Sequence, residues 1–132
     1  MRHSIAQASA SSGLSIDTLR YYERIGLIEP PERDAGGRRS YSDEDLRWLE
    51  FLTRMRTTGM PLAMLREYAA LGQAGPAASA RRRRILVEHR ATLVAHLAEL
   101  RACLDVIDYK IENYARIERE FLGRDQEMEA SA

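Results

Sequence analysis

One cysteine, one tryptophan and one lysine stand in a chain of 132 residues. Cys103 alone cannot close an internal disulfide or build a multi-thiolate metal site within one chain, and its solitude fits the cytoplasm. No apolar run approaches the ~20 residues that a membrane-crossing helix needs, and no secretory signal opens the chain. Membrane partners are therefore not expected. Net charge is absent too, with 20 basic and 20 acidic side chains. Residues 1–72 repeat that balance, ten against ten. A bulk-charge argument for nucleic acid fails on those numbers, so any such case rests on where individual arginines sit. Paired carboxylates, nucleophile–histidine spacings, phosphate loops and metal-ligand spacings are missing as well. An enzyme is not expected, and no metal or cofactor is implied.

What is present is a series of helix signals. Ser4 with Gln7 forms a capping-box pattern and opens a short helix to about Ser11. A tight turn follows, and Ser15 caps a second helix that ends near Ile25 at Gly26. Two short helices across a Gly-containing turn, residues 3–26, make a helix-turn-helix candidate. Residues 28–42 carry Pro30-Pro31 and Gly36-Gly37, which forbid helix and suit a two-stranded ribbon with Arg33, Arg38 and Arg39 around its tip. Ser42 caps a third helix whose first turn holds Asp43, Glu44 and Asp45, where the helix dipole favours acids. Gly59 stops it, and Pro61 begins a fourth helix to Leu71. Residues 43–72 thus repeat the layout of the first pair.

Residues 73–79 read as a linker, and residues 80–122 as one long helix. Its apolar residues recur every seven positions: Leu86, Leu93, Leu100, Ile107 and Tyr114 in one register, Leu97, Leu104 and Ile111 in the other. Such a repeat specifies a coiled coil. Nothing else in the chain is long enough to cover the stripe, so a second copy of the chain is the expected partner. Residues 123–132 read as a short, acidic, disordered tail. His89 and His96, seven apart, fall on one stripe as interface polar residues, and Cys103 beside Leu104 reads as a small packing residue with at most a redox role.

The wording inside these elements is specific. "TLRYYERIGL" after a helix-turn-helix, then "GRRSYS", then "MRTTGMPL" and the heptad helix resemble the MerR family of bacterial transcription regulators over roughly residues 3–121. The branch most resembled is the small NmlR/AdhR-like one. The resemblance implies a mainly α fold: a winged helix-turn-helix head, a second helix-turn-helix, and an antiparallel coiled-coil homodimer. It implies a cytoplasmic, nucleoid-associated protein that binds double-stranded promoter DNA and works with RNA polymerase. Such regulators distort promoters whose spacer is over-long, activating or repressing in answer to a signal. The alternative is a coiled-coil protein-interaction module without sequence-specific DNA binding.

Residue by residue, the resemblance places Thr18, Arg20 and Tyr21 at DNA-facing positions of the recognition helix, with Tyr22 inward. Arg38, Arg39 and Tyr41 match the wing, and Arg56 the second wing. Arg81 to Arg84 form the densest basic run, either a solvated helix start or added phosphate attraction. Thiol-sensing relatives carry a cysteine in helix three where this chain has Arg54, so that chemistry does not transfer.

Overall fold

The computed structural model describes residues 1–131 and falls into two compact units, Met1–His89 and the helical segment that follows. The first is built from β1 (Arg2–His3), α1 (Ile5–Ser12), α2 (Ile16–Arg24), β2 (Glu32–Arg33), β3 (Arg39–Ser42), α3 (Asp43–Thr57) and α4 (Leu62–Leu71). Two short 3₁₀ turns, Gly72–Ala74 and Pro76–Ala78, lead into α5 (Ser79–Ser131).

Local chemistry explains each helix start. The Ser4 hydroxyl accepts from the Gln7 amide while the Gln7 side chain accepts from the Ser4 amide, which satisfies two orphan donors at once. Ser42 and Asp45 repeat the device at α3, and the Ser15 hydroxyl accepts from Thr18 N at α2. Gly26 ends the α2 region at φ +78°, a left-handed turn that glycine adopts without steric cost. The chain then folds back, and the amides of Leu27 and Ile28 both donate to Tyr22 O.

Among the described residues the strands form one antiparallel sheet in the order β1-β3-β2. Glu32 and Arg33 pair with Ser40 and Arg39, which makes the expected ribbon. Its tip is an Asx-type turn in which Asp34 Oδ1 accepts from the amides of Gly36 and Arg38. The third strand, β1, is an addition to the two-stranded expectation. Its residues Arg2 and His3 pair with Ser42 and Tyr41. The contact is pinned by Asp43, which accepts from the N-terminal ammonium at 3.3 Å and meets His3 Nε2 at 2.7 Å.

One core joins these elements: Leu19 and Tyr22 from α2, Leu27 and Ile28 after it, Tyr41 of the wing, Leu49 and Leu52 of α3, then Met60, Leu65 and Ile85. Ile85 and the buried His89 lie on α5, so the first turns of that helix belong to the head. His89 Nε2 lies 2.8 Å from Thr58 Oγ1, which replaces its expected place on a coil stripe. Trp48 stacks with Phe51 and Tyr68, donates to Leu27 O, and sits in a cluster completed by Arg82 over the Tyr68 ring at 4.1 Å.

The second unit, residues 90–132, is the remainder of α5, and helix continues through residues expected to be a disordered tail. Gly123 inside a helix costs only about 1 kcal/mol, and Leu122, Arg124, Glu127 and Met128 around it are good helix formers. Ala132 lies outside the described residues. Leu97, Leu100, Leu104, Ile107, Ile111 and Tyr114 are all about half exposed or more, a continuous apolar stripe facing solvent.

Candidate nucleic-acid interface

Helix α2 has two chemically opposite sides. Leu19 is fully buried and Tyr22 nearly so, which fixes the helix against the core. That leaves Asp17, Arg20, Tyr21 and Arg24 outward, with Tyr21 42% exposed. The Arg24 guanidinium sits 5.6 Å from the centre of the Tyr21 ring, a cation–π arrangement that orients both side chains along the surface. Thr18 is half-buried, and its hydroxyl oxygen accepts from the Ser15 hydroxyl at 2.8 Å. A short helix with two outward arginines and a phenol presents donors suited to phosphates and to guanine edges.

The wing is fastened to this helix by an ion pair. Arg39 donates through Nη2 and Nε to the two Glu23 carboxylate oxygens at 2.9 and 3.3 Å. Both side chains are mostly covered, at 21% and 17% exposure. The hydrogen bond from Arg39 holds the Glu23 carboxyl below its ordinary range, and Glu23 in turn raises the Arg39 guanidinium. Tyr41, placed among the DNA-facing residues by resemblance, is 2% exposed and belongs to the core. Its phenol is shifted upward by burial. It roots the wing beneath the surface. Arg38 is exposed beside the tip, whereas Arg33 donates to Gly37 O and braces the turn.

The second helix pair brings Arg56 to the surface, where its Nη1 donates to Met60 O and clamps the turn around Gly59. Arg54 instead pairs with Glu50 one turn away in an exposed ion pair. The basic run at the start of α5 divides by role. Arg81 pairs with Glu67 at 2.8 Å, and Arg82 donates to Tyr68 O while lying on its ring. Arg83 and Arg84 are exposed. Half of the run therefore holds α5 to α4. Gly72 makes room for this contact, since a Cβ there would lie 2.7 Å from Arg82 Nη2.

Residues 3–72 match the family described as "MerR HTH family regulatory protein", and residues 46–110 match "MerR, DNA binding". The chain belongs to the MerR family. Its relatives among DNA-binding transcriptional regulators include AdhR of Bacillus subtilis, 42% identical over 68% of this chain and 64% of that protein. An HTH-type transcriptional regulator of Haemophilus influenzae is 31% identical over 88% of this chain and 86% of the relative. Among solved structures, a MerR family regulator from Listeria monocytogenes superposes with a TM-score of 0.79 at 41% identity, over 85% of each chain. HiNmlR, described as a MerR family regulator lacking the sensor domain and bound to promoter DNA, gives 0.80 at 32% identity, over 86% of each. As a MerR-family protein the chain is a DNA-binding transcriptional regulator, not an enzyme.

Glu23 was not anticipated as part of this interface. The available signal was a carboxylate set between Arg20 and Arg24 on an otherwise basic helix. Its pairing with an arginine sixteen positions away depends on tertiary contact and has no local periodicity. An open cleft of about 460 Å³ also lies in the head, lined in part by Ile28, Tyr41, Glu44, Trp48 and Arg82. No helix among the described residues is long and apolar enough to cross a membrane.

Proposed function

We propose that this MerR-family regulator binds promoter DNA as a homodimer, with Thr18, Arg20 and Tyr21 at the major groove and Arg38, Arg39 and Arg56 against the phosphate backbone. The observation that carries this reading is the exposed Arg20–Tyr21–Arg24 surface of α2, fastened to an Arg-rich wing through Glu23 and Arg39. That surface joins a recognition helix and a wing at a fixed angle, as groove-plus-backbone docking needs. The likeness to HiNmlR, described as bound to promoter DNA, supports the same reading.

The dimer follows from the apolar stripe of α5, whose exposure on a single chain is far too great for a soluble helix alone. Two heads on one duplex would engage a pseudo-palindromic site. Distortion of an over-long promoter spacer for RNA polymerase, in a cytoplasmic setting and under a stress or small-molecule signal, is the action we assign to the complex. Bending a site of this kind costs roughly 1–6 kcal/mol, which contacts made only in the bent state must offset.

The test is a mobility-shift titration against the protein's own upstream region and against random duplex, at several salt concentrations. Specific binding with a steep salt dependence is expected. Arg20→Ala should weaken the specific complex by about tenfold and flatten the preference between sites, since a base-edge arginine is worth about 1–3 kcal/mol. Equal affinity for both duplexes in the unmutated protein would sink the reading and favour a protein-interaction module.

A further inference from the structure

The stripe on α5 has a spacing that says how a second copy must sit on it. Leu93, Leu97, Leu100, Leu104, Ile107 and Ile111 are separated by four, three, four, three and four residues. That series reads the same in both directions. A copy running the opposite way can therefore set every one of these side chains against another aliphatic one. We propose that the stripe takes a second copy of this chain, antiparallel, in the one register that pairs Leu93 with the partner's Ile111, Leu97 with the partner's Ile107 and Leu100 with the partner's Leu104. This register rests on the dimeric reading above and gives it residue-level form.

Slipping by one heptad in either direction puts charge into the seam. One slip sets Leu93 against the partner's Glu118. The other sets Ile107 against the partner's Arg90, and Ile111 against the partner's Leu86. Leu86 is already half-buried against the core of its own head, so it offers little surface. A charge left unpaired in an apolar seam is strongly disfavoured. The centred register alone leaves Arg90 and Glu118 beyond the six aliphatic layers.

Cys103 reports the register. It precedes Leu104 on one flank of the seam, is exposed, and has no disulfide partner in its own chain. In an antiparallel pair this flank meets the same flank of the partner. The centred register offsets Cys103 from the partner's Cys103 by two residues along the axis, roughly 3 Å, against roughly 8 and 14 Å in the slipped registers. His96 and Lys110 lie seven positions either side on the same flank, so each faces the other residue of the partner.

The experiment is cross-linking of the full chain by a short bismaleimide, with mass read by sedimentation equilibrium. The unmutated protein should give a Cys103–Cys103 cross-linked dimer. In a Cys103→Ser background, His96→Cys and Lys110→Cys chains should cross-link when mixed, and neither with itself. Cross-linking of Cys103 in one chain to Lys110→Cys or His96→Cys in a Cys103→Ser partner marks a slipped register and overturns the proposal. So does self-cross-linking of Lys110→Cys, which marks a parallel pair. A dimer with the wrong cross-link leaves the dimeric regulator standing. A monomer by sedimentation overturns that reading as well.

Discussion

Leu104→Glu is expected to leave the protein monomeric at micromolar concentration and to lower its affinity for a two-half-site operator by at least a hundredfold. Leu104 is 55% exposed on one chain and sits at the middle of the palindromic seam. Twofold symmetry places two copies of the substitution in one dimer. Each removes about 1.5–3 kcal/mol of apolar burial and adds an unpaired carboxylate whose desolvation costs several kcal/mol. The combined loss, on the order of 8 kcal/mol, raises the dimer dissociation constant by roughly five to six orders of magnitude. A monomer then meets each half-site separately and forfeits the ~10²–10⁴-fold gain of linked binding.

Two controls separate this outcome from unfolding. Trp48 is the chain's one tryptophan and is stacked within the head, so its fluorescence should stay native-like. Tyr109 is 67% exposed and lies away from the seam, so Tyr109→Glu should remain dimeric. A dimeric Leu104→Glu protein in sedimentation would remove the stripe from the interface.

The features that could be read from sequence are those set within one helical turn. Ser4 with Gln7, Ser15 with Thr18, and Ser42 with Asp45 each act over three residues, so cap and helix start are legible together. The division of Tyr21 from Tyr22 follows from helical periodicity against Leu19, and the heptads of α5 declare their own stripe. What escaped is set by long separations. β1 is two residues long and has no period to detect. Its reason for existing is the pairing with β3 and the Asp43 carboxylate forty positions on. His89 reads as a coil residue by spacing and is claimed by Thr58 in space. Tyr41 matches a wing motif, yet the apolar environment beneath the wing takes its side chain inward. At the interface the outward arginines of α2 were legible, whereas the carboxylate that organises them was not.

That carboxylate gives the second large expectation. Glu23→Ala and Arg39→Ala should each destabilise the head by about 2 kcal/mol, since each leaves the other charge mostly covered and unpaired. For a unit of this size the melting temperature should fall by roughly 10 °C. Once either partner is gone, removing the second should cost little more, and the double-mutant cycle measures that shortfall. DNA binding should separate the two variants. In the pair, Nε and Nη2 hold Glu23, so Nη1 is the nitrogen that would reach a phosphate. Arg39→Ala should lower affinity on all sequences and reduce the salt slope by about 0.9, whereas Glu23→Ala should leave the slope unchanged. Acid should erase the stability difference. The folded Glu23 carboxyl lies below its unfolded value of about 4.3, so its contribution is present above that pH and disappears as pH falls through the lower folded value. Melts of unmutated and Glu23→Ala protein should differ most near neutrality and converge below about pH 4. A difference that persists undiminished into acid would mean that Glu23 stabilises the wing by packing and not through its charge.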